Sequence, residues 1–164
     1  MCLTLRNKSK IRIAKKDITV YKVLCVECSR IRNLDSSPIV PRSPYSFAGD
    51  FKWEVNQIKE SKIGIGNLSG TIHEFDKSKI KESTTISEFF GNYYKDFNSI
   101  QAHQGLHAYT GKLRAKSNVW VFNSNSKKHK VFKMIIPKGS VYLKNWMAGE
   151  IVATQMKMVK RIQK

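Results

Sequence analysis

Acidic side chains nearly vanish from the last part of this chain. Between positions 97 and 164 stands one carboxylate, Glu150, against thirteen Lys and Arg. That shortage excludes a self-neutralised surface there, and a surface so one-sided seeks a polyanion. Cysteine is also scarce: three residues, an odd number, exclude a disulfide framework. No apolar run approaches the ~18 residues that a membrane-spanning helix requires, so no membrane partner is expected. The stretch MCLTLRNKSKIRIAKKD lacks an apolar leader core and a small-residue cleavage site. The expected compartment is therefore the cytoplasm of a bacterial host cell, or a virion-associated state.

What is present is positive charge, unevenly placed. The chain carries 30 Lys and Arg against 12 Asp and Glu, a formal net charge of +18. Residues 1–34 hold nine cations against Asp17 and Glu27, and residues 35–96 are almost balanced, with eight cations and nine acids. Self-repulsion at this charge favours a partner that relieves it. Nucleic acid is the usual one, and a merely solvated Lys-rich surface is the bland alternative. Eight Phe, six Tyr and three Trp within a 41% hydrophobic composition give a globular core rather than a disordered tail. At 164 residues the expectation is a single domain, 1–164, with a Pro/Ser-rich loop at 33–50 and a basic C-terminal third at 97–164.

The periodicities predict an α+β, strand-dominated fold: a central, mostly antiparallel or mixed sheet and two short helices. KIRIA (10–14) alternates charged and apolar residues, as a half-buried strand does. ITVYKVLCV (18–26) is apolar on both faces, which predicts a central strand. FKWEVNQIK (51–59) alternates again, and the three glycines of IGIGNLSGTI (63–72) predict a tight turn or hairpin. Thr85 and Glu88 have capping-box spacing and start a helix through EFFGNYYKDF, with Gly91 weakening it. A second helix is expected from 110 to about 120, with Leu113, Lys116 and Trp120 at spacings of three and four. NSNSKKHK is a basic loop, VFKMIIP (131–137) a strand ended by Pro137, and PKGS a turn. EIVATQMKMVKRI (150–162) is expected as one long final strand with Val152, Thr154, Met156 and Met158 on one side.

Several groupings bear on chemistry. Cys25 and Cys28 form CVEC, and His103 and His107 form HQGLH, a donor set that matches tetrahedral zinc. Strand alternation, however, sends Cys25 and Cys28 to opposite faces, so no metal site is expected. IGIG precedes no helix and reads as a turn rather than a phosphate loop. The basic groups placed to meet nucleic acid are Lys127, Lys128, Lys130, Lys133, Lys157, Lys160 and Arg161. Tyr109, Trp120, Phe122, Phe132, Tyr142 and Trp146 lie among these cations; exposed rings there would stack on bases at about 1–3 kcal/mol each, while most serve the core. No helix-turn-helix or aromatic RNP pair is visible, so contact led by the phosphate backbone with little sequence preference is expected.

The segments QAHQGLHAYTGKLRAK, FKMIIPKGSVYLKN and GEIVATQMKMVKRI resemble little-characterised phage and phage-derived domains with a GLH-x-x-T segment, then a helix, then a strand ending in a Pro turn. Over residues 17–162 their layout is also distantly similar to the ADP-ribosyltransferase fold. That resemblance implies an early element at Tyr21 and Lys22, a middle one at His107 and Thr110, and a catalytic acid at Glu150, acting on NAD. The chain departs from the pattern by lacking an early-strand arginine and a Ser-Thr-Ser, and by carrying Ala148 where a second acid would stand. Three readings follow. The first is a basic phage- or mobile-element-type accessory protein, without a cofactor, that binds nucleic acid or a nucleoprotein partner. The alternatives are an ADP-ribosyltransferase-like enzyme with Glu150, His107 and Tyr21 catalytic, or a virion or host-takeover interaction protein that meets a host or phage protein.

Overall fold

A computed structural model describes residues 3–25, 53–66, 72–75, 77–80, 84–94, 99–121, 129–145 and 147–162. The Pro/Ser-rich stretch 33–50 lies outside the described residues. The strands are β1 (Leu3–Leu5), β2 (Arg12–Ile13), β3 (Ile18–Cys25), β4 (Ile58–Glu60), β5 (Gly64–Gly66), β6 (Ile72–Glu74), β7 (Ile100–Gln104), β8 (Leu106–Tyr109), β9 (His129–Ile136), β10 (Val141–Asn145), β11 (Glu150–Ala153) and β12 (Gln155–Arg161). The helices are α1 (Ile86–Phe90) and α2 (Lys112–Val121). The architecture is α+β and strand-dominated, with two short helices and two antiparallel sheets. One sheet has four strands in the order β1-β7-β5-β6, the other eight in the order β2-β10-β11-β8-β3-β9-β12-β4.

The eight-stranded sheet curls on itself, and its connectivity requires it to. Between β11 and β12 the order interposes β8, β3 and β9. In a flat sheet those two strands would stand about 19 Å apart, four spacings of ~4.8 Å. A single residue, Thr154, joins them. The bend is pinned: the Thr154 N–H donates to the Val141 carbonyl at 2.9 Å, and its own carbonyl accepts the Ser61 N–H at 2.8 Å. The interior so formed is filled from every side, by Val20 and Leu24, Leu106 and Ala108, Met134 and Ile136, Ile151 and Ala153, and Met156 and Met158. Burial of this apolar surface is what holds the curl closed.

The final strand is thus two strands. The bend shifts the alternation, so that Val152 faces the core between the sheets while Met156 and Met158 face the curled interior, not one common side. A second crossing is made at Gly105, where β7 of the small sheet runs on into β8 of the large one. Gly105 has φ +125, and a Cβ there would lie 2.3 Å from Val152 Cγ2, so the crossing admits only glycine. The small sheet packs its inner residues Leu3, Leu5, Ile63, Ile65, Ile100 and Ala102 against Val141, Leu143 and Val152 of the large sheet.

The central placement of 18–26 and the hairpin in 63–72 hold: β3 lies between β8 and β9, and β5 pairs antiparallel with β6. Other expected elements change in extent. In 10–14 only Arg12 and Ile13 form a strand; Ile11 and Ala14 are buried and Ile13 is exposed, a spacing of three instead of two. In 53–59, the described part of the stretch 51–59, the ladder starts at Ile58, because Asn56 takes a left-handed conformation with φ 66 and leaves Val55 in an isolated bridge to Met158. α1 carries the full capping box: the Glu88 N–H donates to the Thr85 hydroxyl and the Thr85 N–H to the Glu88 carboxylate. It ends at Phe90 because Gly91 has φ 62, and a 3-10 turn, Gly91–Tyr94, continues the chain. Among the described side chains of α2, Ala115 is buried and Leu113 is 81% exposed; the side chain of Trp120 lies outside the described residues.

Candidate functional site

Strand register brings part of the expected constellation into one line. Glu150 stands opposite Tyr109, Tyr109 opposite Tyr21, Tyr21 opposite Lys133, and Lys133 opposite Lys160. Residues directly opposed across a ladder project from the same face, with Cβ atoms about 5 Å apart. The result is a row across β11, β8, β3, β9 and β12: acid, phenol, phenol, amine, amine. It lies on the outer face of the curled sheet, the face on which Tyr109, Val23 and Val131 pack against Ala115 of α2.

The acid end is enclosed. Glu150 is half-buried, and desolvation raises its carboxyl above the ordinary carboxylate range, with the Arg114 guanidinium of α2 opposing that rise. The net direction is upward, because loss of water outweighs the nearby cation. Thr110 closes this end, its hydroxyl donating to the Gly149 carbonyl at 3.2 Å and its N–H to the same oxygen at 2.8 Å. The sequence motif singles out His107 and Thr110 but not Tyr109 between them, although strand alternation alone sets Tyr109 two residues from His107 on the same face.

His107 sits opposite Val152 and is only 6% exposed. Burial, reinforced by the charge of Lys22, pushes its imidazole down to about 3. Burial thus favours the neutral imidazole at physiological pH.

Lys22 turns to the other side of β3, into the curled interior with Val20 and Leu24. It is 1% exposed; its amine donates to the His107 carbonyl and lies 5.7 Å from the centre of the Trp53 ring. Burial alone lowers it to about 7.

The amine end is open. Lys157 lies opposite Ile135 and faces outward, between the inward Met156 and Met158. A β-bulge between Met158 and Lys160 changes the register there. That bulge turns Lys160, which simple alternation would send inward with Met158, to the outer face opposite Lys133. Lys133, Lys157 and Lys160 therefore share one face. Lys130 pairs with Leu24 and Arg161 with Phe132, which places those two on the opposite face at the end of β9 and β12. Lys127 and Lys128 lie outside the described residues. So does Cys28; Cys25 ends β3. Among the described residues no three His, Cys, Asp or Glu side chains gather as a metal site, and no helix is long and apolar enough to cross a membrane. Comparison of the chain with protein-family models, curated proteins and solved structures finds no match.

Proposed function

We propose that the protein binds nucleic acid, alone or in a nucleoprotein partner, through the outer face of β9 and β12, as an accessory protein of a phage or mobile element. The observation that carries this reading is the direct opposition of Lys133 and Lys160, with Lys157 on the same face. Like charges directly opposed across a ladder destabilise a sheet. A bulge that aims a second amine at the first is costly for the protein alone and favourable when a phosphate lies between them. Flanking Lys130 and Arg161 extend positive charge around the end of the same strand pair. Recognition of this kind contacts backbone phosphates and carries little sequence preference. Fluorescence anisotropy with single- and double-stranded probes of unrelated sequence tests it. The expected outcome is binding at about 50 mM salt that weakens steeply as salt rises; absence of binding at low salt refutes the proposal.

A second reading is favoured by the other end of the row. Tyr21, Tyr109 and Glu150 share one face with Arg114 beside the acid. In an ADP-ribosyltransferase-like enzyme the Glu150 carboxylate would stabilise the cationic ribose formed as the glycosidic bond of NAD breaks, with a cation such as Arg114 on the pyrophosphate. This reading requires NAD consumption that Glu150→Gln abolishes; activity surviving that substitution removes it.

A further inference from the structure

Away from the β9–β12 face, a pocket of ≈ 370 Å³ opens beside β2. Four cations, Lys10, Arg12, Lys15 and Lys16, line it together with Ile13, Ile18 and Tyr142. No carboxylate is among these lining residues. Asp17, the next residue along the chain, accepts the Lys138 N–H on its carboxylate at 2.9 Å. Arg12 and Tyr142 are directly opposed on β2 and β10, so guanidinium and phenol stand on one face. Lys144 lies two residues further along β10, and burial together with the Arg12 charge holds its amine below the ordinary lysine value. Cationic charge has accumulated on this side to the point where one cation is felt by the next.

The pocket wall is fixed in place. Ala14 donates its N–H to the Ser140 carbonyl at 2.9 Å and accepts the Gly139 N–H at 2.8 Å. With the Asp17 bond, these contacts fasten the turn that carries Lys15 and Lys16 to the turn that follows β9. A pre-formed site loses less conformational freedom when it binds. Its volume lies in the range of pockets that take small molecules. The mixture of lining types is specific too, since the cations suit an anion while Ile13, Ile18 and the Tyr142 ring offer apolar and aromatic surface to a sugar or base. The degree of charge selects among phosphates. An internal phosphodiester carries one negative charge, whereas a phosphomonoester carries about −1.5 to −2 at neutral pH. Four cations around one small pocket match the second better.

We propose that this pocket binds a terminal phosphomonoester of a nucleotide, either a free mononucleotide or the phosphorylated end of a nucleic-acid strand. The strand-end source rests on the nucleic-acid reading above; the free-nucleotide source does not.

The test compares thymidine monophosphate with thymidine by calorimetry. It also compares a short oligothymidylate bearing a phosphate at its 5′ or 3′ end with the same strand ending in hydroxyls, by anisotropy. The expected result is heat of binding for the monophosphate and none for thymidine, with at least one phosphorylated strand bound on the order of tenfold tighter than the hydroxyl-ended strand. Arg12→Gln and Lys16→Gln should each erase that preference and leave hydroxyl-ended affinity less changed. Lys16 is on an exposed turn, so its variant keeps the test valid if Arg12→Gln disturbs β2. Binding of the monophosphate without binding of any strand upholds the pocket and refutes the nucleic-acid reading. A monophosphate bound no better than thymidine, with no preference for either phosphorylated end, overturns the proposal.

Discussion

The molecule has two interiors, and they are built differently. Between the two sheets the packing is mainly hydrocarbon and aromatic: Leu, Ile and Val side chains meet Phe75, Phe89 and Phe90, and the Tyr94 hydroxyl donates to the Ile65 carbonyl at 3.1 Å. Phe90 and Tyr94 pack edge to face at 5.4 Å between ring centres, an arrangement that adds to area burial. Inside the curled eight-stranded sheet the packing is also apolar but encloses the Lys22 amine, beneath Trp53. The first interior contributes stability chiefly by apolar burial. The second carries a group whose charged form resists burial, so its stability is tied to protonation. Tyr94 shows the benign version of the same situation: burial pushes its phenol up to about 12, away from any physiological titration.

The largest expected effect breaks the apolar interior. Ile100→Ala, at a fully buried site between the sheets, should destabilise the protein by about 2–5 kcal/mol in a urea titration. Lys22→Met removes what distinguishes the second interior. The unfolded amine titrates near 10.5 and the folded one near 7. Between those values the unfolded chain holds a proton that the folded protein lacks, so stability should climb as pH rises from about 7 towards 10.5 and should be lowest and flat below 7. In Lys22→Met this climb should shrink and stability near pH 6 should rise by on the order of 1 kcal/mol, the gain from removing a buried charge being offset in part by loss of the bond to the His107 carbonyl. An unchanged pH profile would show that the amine reaches water. Tyr94→Phe removes the hydroxyl's hydrogen bond to Ile65 from the first interior, and should lower stability by about 1 kcal/mol. Thr85→Ala, which removes the cap of α1 at the edge of that same interior, should cost about 0.5–2 kcal/mol and is expected at the lower end, because α1 has only five residues.

Sequence periodicity is informative wherever one local rule decides the outcome. The capping box at Thr85 and Glu88 depends on spacing alone, and the two-faced apolar pattern of 18–26 can only suit a strand flanked on both sides. It is uninformative where the outcome depends on the sheet closing. Nothing local in EIVATQMKMVKRI marks Thr154 as a bend, because Thr is a good strand residue; the bend is required by β8, β3 and β9 lying between its two halves. In α2 the exposed Leu113 and buried Ala115 invert the usual reading of which side chain seeks the core, since the close approach of the helix to Val23 and Tyr109 favours a small residue. The same limit governs the site. Glu150 stands out by its isolation among cations, whereas its alignment with Tyr109, Tyr21, Lys133 and Lys160 depends on register across five strands, and the turn of Lys160 to that face depends on a bulge. The pocket at Lys10, Arg12, Lys15 and Lys16 is hidden from the sequence because an alternating KIRIA predicts Ile13 inside, and the structure exposes it.

The central claim, that opposed Lys133 and Lys160 form a phosphate-binding face, is tested most directly by the salt dependence of nucleic-acid affinity in the natural chain and in the double variant Lys133→Ala/Lys160→Ala. Each neutralised phosphate contributes about 0.7 (single strand) to 0.9 (duplex) to the slope of log affinity against log salt, so the double variant, which loses the one phosphate held between the two amines, should lose about 0.7–0.9 from that slope, while its folded stability stays equal or rises as the like-charge opposition is removed. A slope identical in the two proteins would contradict the claim.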